Sequence, residues 1–167
     1  MAVDGIELIA KNIIKYGQGF LNETNKTMRQ VERILRKEVD KNISRDTYTL
    51  EDLKILDHPY ATRHGARGNE AYNKPYYQVH KRTGKFKSAL SSGTVDAHLS
   101  GGQLTAAAFA KLDPGIDPKV NYIIFGTSKM IPRPVLNVSR DNVVGDCFKL
   151  IENNLRNFTF SFRGLTK

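Results

Sequence analysis

The chain has 167 residues, 40% of them apolar, and a net charge of +9 from 26 basic and 17 acidic side chains. That length and apolar share predict a single domain, 1–167, with a modest core. No stretch approaches the ~20 apolar residues of a membrane span, and the lone cysteine, Cys147, excludes an intramolecular disulfide. The basic excess favours a polyanion or an acidic protein surface without choosing between them.

Residues 1–44 read as helical. Asp4 with Glu7 has capping-box spacing, and Ile6, Ile9, Ala10 and Ile13 recur at helical intervals before Gly17 and Gly19, which predict a helix end. Glu7, Lys11 and Lys15 interrupt the apolar patch and no small-residue cleavage site follows, so it does not read as a secretory signal. The Asn-x-Ser/Thr triplets at Asn22, Asn25, Asn42, Asn137 and Asn157 then carry no glycosylation meaning. A second helix places Leu21, Met28, Val31, Leu35, Val39 and Ile43 on one stripe. Its other side carries Lys26, Arg29, Glu32, Arg33, Arg36, Lys37 and Asp40, too mixed in sign for a membrane-surface helix. The pattern predicts a helix packed on a sheet.

Thr49, three residues before Asp52, opens a short predicted helix through Leu56 that His58-Pro59 ends. From 58 to 75 there is no periodicity. A loop of that length in a compact domain carries function or orders on binding. Residues 54–87 hold eight basic side chains (Lys54, Arg63, Arg67, Lys74, Lys81, Arg82, Lys85, Lys87) against Asp57 and Glu70, which is +6, two-thirds of the net charge.

The period then shifts to two. Val95, Ala97 and Leu99 alternate with Thr94, Asp96 and His98, and Gly101-Gly102 supplies the positive φ angles of a tight hairpin. The return strand 103–112 is rich in alanine (Ala106, Ala107, Ala108, Ala110), which suggests close approach by another element. Asp113-Pro114 and Asp117-Pro118 make a turn, and Val120–Phe125 reads as the central strand of a sheet covering 92–126. Pro134 starts a closing helix, 134–156, with Val144, Cys147, Phe148, Ile151 and Leu155 as its buried stripe. There Cys147 reads as a buried, inert thiol. Phe158, Phe160 and Phe162 alternate with polar residues over 157–163. They predict a terminal strand that either completes the domain's own sheet or augments a neighbour's.

Catalytic patterns are missing. His58, His64, His80 and His98 do not form a His-Glu-x-x-His pair, and His58 and His64 read as solvated loop residues. The segment Thr83-Gly84-Lys85-Phe86-Lys87-Ser88 lacks a phosphate loop's leading glycine, since Val79 stands there, and Phe86 replaces the magnesium-holding hydroxyl. Gly126-Thr127-Ser128-Lys129-Met130 would be a nucleophile elbow only if Met130 were glycine. Carboxylates are dispersed. The expectation is a protein that is not an enzyme and takes no metal or cofactor.

Two segments do point to a family. Val79–Leu90, with its Thr83-Gly84, and Tyr122–Leu136, with Gly126-Thr127-Ser128-Lys129-Met130 followed by Arg133-Pro134, resemble a family of small tailed-bacteriophage neck and tail-completion proteins. Ile124 departs from it, standing where members often have an acid. The resemblance implies an α+β fold, an antiparallel sheet with helices packed on it, assembled as a closed ring of six, with twelve as the alternative. It implies a virion protein at the head–tail junction, whose partners are itself, a neighbouring neck or head-completion protein and the tail tube, with genomic DNA in the channel and no membrane. Phe125, Gly126, Thr127, Ser128, Lys129, Met130, Pro132, Arg133 and Pro134 would form either a fold-determining turn or a contact between subunits. The basic residues Arg63, Arg67, Lys74, Lys81, Arg82, Lys85 and Lys87 would meet an acidic surface of the neighbouring protein. The alternative function is a nucleic-acid-binding protein that stacks bases on Tyr60, Tyr72, Tyr76 and Tyr77 among those cations.

Overall fold

A computed structural model describes residues 2–47, 51, 79–81, 83–127 and 132–163, with backbone only at 2–6, 9, 44–47, 80, 162 and 163. The predicted helix at 49–56, apart from Glu51, and the loop at 58–75 lie outside the described residues. The fold is α+β. In chain order it comprises α1 (Ala2–Lys41), β1 (Ile43–Thr47), β2 (Val79–Lys81), α2 (Lys85–Ser88), β3 (Leu90–Ser100), β4 (Gln103–Leu112), α3 (Val120–Phe125) and α4 (Val135–Arg163).

The expected break at Gly17 and Gly19 does not occur. One helix runs from Ala2 to Lys41, so Asp4 lies inside it and not before its first turn. Gly19 has a packing reason instead, because a Cβ there would sit 3.0 Å from the Phe158 ring. Phe158 in turn meets Tyr16 and Phe20, at ring centroid separations of 5.5 and 6.0 Å. A glycine in a helix costs about 1 kcal/mol in propensity, and a close aromatic contact of this kind offsets it.

The hairpin forms as the alternation predicts. β4 spans the expected Gln103–Leu112, and Gly101 and Gly102 have φ of 56° and 77°, which two L-residues with side chains would adopt only under strain. A second sheet was not foreseen. β1 and β2 pair in parallel, with Ile43 opposite Val79 and Thr47 opposite Lys81, so Ile43 ends the helical stripe as a strand residue.

Two predicted strands are helices. Val120–Phe125 is α3, because Val120, Ile123 and Ile124 at helical spacing face the core while Tyr122 and Phe125 point outward. A six-residue apolar run fits either period. The Asp-Pro turn decides the outcome: Asp117, buried, accepts from the Lys119 N–H at 3.1 Å and, through its carbonyl, from the Val120 N–H at 3.0 Å, which starts a helical turn. Gly126, at φ 73°, then stops it. The sheet therefore ends at Leu112 and not at 126.

The terminal strand 157–163 is likewise absent, since α4 continues to Arg163. Phe158 falls at helical spacing after Cys147, Ile151 and Leu155, and the intervening Thr159 and Ser161 hydroxyls donate to the carbonyls of Arg156 and Phe158 at 2.7 and 2.8 Å. The expected stripe of α4 is also corrected, as Val144 and Phe148 are exposed.

The described contacts fall into two compact units. Unit 1 comprises Met1–Arg33, Gly93–Phe109 and Gly145–Lys167; unit 2 comprises Ile34–Ser92 and Ala110–Val144. Unit 2 holds the apolar core: Val39, Ile43, Val79, Phe86, Ala89, Val120 and Val135, flanked by Leu35, Leu90, Leu112, Ile123 and Leu136. One polar pair joins it, Asn42 donating to the Ser139 hydroxyl at 2.8 Å, both buried. Unit 1 is tied by polar groups and rings. Asn154 donates to the Thr27 hydroxyl and the Gln30 carbonyl at 3.1 and 2.9 Å, and the Ala97 N–H donates to Asn25 at 2.6 Å.

Candidate functional site

In the signature segment the buried Val120 anchors α3 and leaves Tyr122 and Phe125 on the outer side, 57% and 76% exposed. Three residues apart on a helix, they lie on one face. The segment then returns to the unit: the Arg133 N–H donates to the Ile123 carbonyl at 2.8 Å, and the Pro134 carbonyl accepts the first bond of α4, from Val138 at 3.0 Å. Arg133 is 3% exposed, so its side chain is held inside the unit and is not presented to a neighbour. Gly126 makes the turn, Thr127 and Pro134 are half-buried, and Pro132 is exposed. Ser128, Lys129 and Met130 lie outside the described residues. Among the described residues of the expected contact set, Phe125 is thus the large side chain offered to solvent. Tyr122 was missed because a strand would have put it on the face opposite Phe125, whereas a helix puts the two together.

Arg63, Arg67, Lys74 and Arg82 lie outside the described residues, as do Tyr60, Tyr72, Tyr76, Tyr77, His58 and His64. The described cations of that set, Lys81, Lys85 and Lys87, sit on β2 and α2. Phe86, buried in the core with Val39, pins α2 to unit 2. Lys87 meets Asp40 of α1 at 3.2 Å. Asp40 shares its helix face with Arg36 and Lys37, four and three residues before it, and both are exposed. Glu38, nearby, is held below the usual carboxylate range by the hydrogen bond from Lys41 at 2.6 Å, against the opposing effect of burial, with Asn142 adding a second bond at 3.2 Å.

The strand augmentation expected of Phe158, Phe160 and Phe162 is ruled out by their place in α4, where the backbone bonds are made within the helix. Phe158 packs on Tyr16 and Phe20, while Phe160 is exposed. Cys147 is buried, and burial, then the charge of Asp146, pushes its thiol above the ordinary range. Among the described residues no group of three His, Cys, Asp or Glu side chains could hold a metal ion, and no helix is long and apolar enough to cross a membrane.

Protein-family models, curated proteins and solved structures yield no match to the chain. Its functional reading therefore rests on its own residues.

Proposed function

We propose that the protein is a structural subunit of a tailed phage, one member of a closed ring at the head–tail junction that joins tail to head around the DNA channel. The observation that carries this reading is Phe125, a full aromatic side chain left 76% exposed inside one of the two segments whose sequence resembles the neck family. An exposed aromatic pair on a short helix, anchored from behind by a packed core, fits an intermolecular contact better than a monomer surface, since large aromatic residues dominate interface energetics. Repetition of one head-to-tail contact between identical subunits closes a ring when the rotation per subunit allows it. In this setting Gly126 and the Arg133-Pro134 return hold α3 at a fixed attitude, and Tyr122 and Phe125 reach a neighbour.

The test is made on virions. Electron microscopy of particles from a phage whose gene for this chain is deleted is expected to show filled heads beside unattached tails, with joined particles restored by the gene in trans. Normal, joined virions from the deletion would end the reading.

A further inference from the structure

We propose that the end of α1 and the short helix α2 together form a binding surface for the phosphate backbone of duplex nucleic acid, made by Arg36, Lys37, Lys85 and Lys87. It does not depend on the Tyr122–Phe125 contact between copies, because a monomer could bind in the same way, and it gives Lys85 and Lys87 a polyanion in place of the acidic protein surface expected of them.

Sequence alone scatters these residues over some fifty positions. The fold gathers them in unit 2, because burial of Phe86 with Val39 sets α2 against the last turns of α1, where the Lys87 ammonium stands 3.2 Å from the Asp40 carboxylate as an ion pair without hydrogen-bond geometry. Arg36 and Lys37 precede Asp40 on α1 by four and three residues, and Lys85 precedes Lys87 on α2. Arg36, Lys37, Lys85 and Lys87 are all exposed. In the same stretch Lys41 is occupied by Glu38 at 2.6 Å and is left out of the surface. The exposed cations of the patch, Arg36, Lys37, Lys85 and Lys87, outnumber the carboxylates beside them, Glu32 and Asp40, and a polyanion would relieve the remaining repulsion.

The chemistry of the patch selects among polyanions. An acidic protein partner is ordinarily held by an apolar or aromatic anchor at the centre of its interface. Here the ring in the patch, Phe86, is buried, and so is Val39 beside Asp40. Single-stranded nucleic acid needs exposed rings on which to stack its bases, and neither α2 nor the last two turns of α1 presents one. Among the described residues the patch presents guanidinium and ammonium groups and no exposed ring, which suits phosphates read without regard to sequence. Arg36 adds the paired donors that match a phosphate's oxygens.

The measurement is fluorescence anisotropy of a labelled mixed-sequence 30-base-pair duplex titrated with the full chain across a series of salt concentrations. Each lost phosphate contact lowers the slope of log K against log salt by about 0.9. Replacing Arg36, Lys37, Lys85 and Lys87 by serine is therefore expected to reduce the slope by about 3.6 and the affinity by more than about a hundredfold near 0.1 M salt. A control removes the same number of charges from exposed lysines elsewhere, Lys11, Lys15, Lys119 and Lys149, and should change the slope by less than 1. Asp40→Asn is expected to raise affinity several-fold, a gain that partial unfolding cannot mimic. Equal losses from the two serine sets, no gain from Asp40→Asn, no duplex binding at low salt, or a poly-glutamate chain that binds the patch more tightly than the duplex would each overturn the proposal.

Discussion

Unit 2 and unit 1 are built from the same long elements, since α1, the hairpin and α4 each contribute to both, yet their interiors differ. Unit 2 closes around valines, an isoleucine and Phe86, with Val39 and Val135 wholly buried. Among the described residues of unit 1 the buried positions are Thr24 and Thr27, Met28 and Cys147, while Leu8, Ile13, Ile14, Leu99, Phe148 and Phe160 remain exposed. An apolar interior supports itself through area removed from water. One made of hydroxyls and amides gains little net energy per bond, and its exposed apolar residues are better accommodated when something covers them. The difference teaches that in this chain α1 and α4 bury their apolar side chains over one part of their length and leave several of them exposed over the other.

The contrast can be broken most sharply at Phe86. Phe86→Ala should destabilise unit 2 by about 3–5 kcal/mol, seen as a fall in the denaturant midpoint with the slope unchanged. A cost below 1 kcal/mol would mean that the core is not where the packing puts it. In unit 1, Asn154→Ala removes the donor to Thr27 and Gln30 and should cost about 1–2 kcal/mol by the same measurement. A loss as large as that of Phe86→Ala would erase the distinction between the interiors.

Gly17→Ala comes next. Nothing lies within 4 Å of the Cβ it would add, so in a continuous helix it should raise stability by about 0.5–1 kcal/mol. Destabilisation would favour the broken helix that the two glycines predicted. The smallest effect is expected at Glu38. Its folded-state carboxyl is held below its ordinary range by Lys41, so the ionised form adds stability above the unfolded-state value, and that addition fades as pH falls through the lower folded-state value. Glu38→Gln should flatten the acid side of the stability profile and leave the profile near neutral pH parallel to the parent's. An unchanged acid limb would exclude the bond.

These outcomes also mark what could be read from residues alone. The hairpin was legible because six residues of strict alternation, 94–99, met a Gly-Gly turn, two independent signals pointing the same way. The stripe from Met28 to Val39 was legible for the same reason. By contrast, Val120–Phe125 and Phe158–Phe162 are too short for periodicity to decide, and the deciding facts, the Asp117 turn and the Tyr16–Phe20–Phe158 cluster, involve partners outside the run. The basic character of Lys85 and Lys87 was plain, but their nearness to Arg36 and Lys37 was not. It depends on where Phe86 is buried, which only tertiary packing determines. Phe125 was singled out through the resemblance; Tyr122 joins it only once the run is known to be a helix.

The central claim is that this protein works through contacts between copies, with Tyr122 and Phe125 at the contact. Sedimentation velocity of the full chain over a wide concentration range tests it most directly. The account predicts one discrete closed oligomer, a whole multiple of the 18.8 kDa subunit, which Tyr122→Ser with Phe125→Ser dissociates while helical circular dichroism is retained. A monomer at every concentration, or an oligomer indifferent to both substitutions, would contradict it.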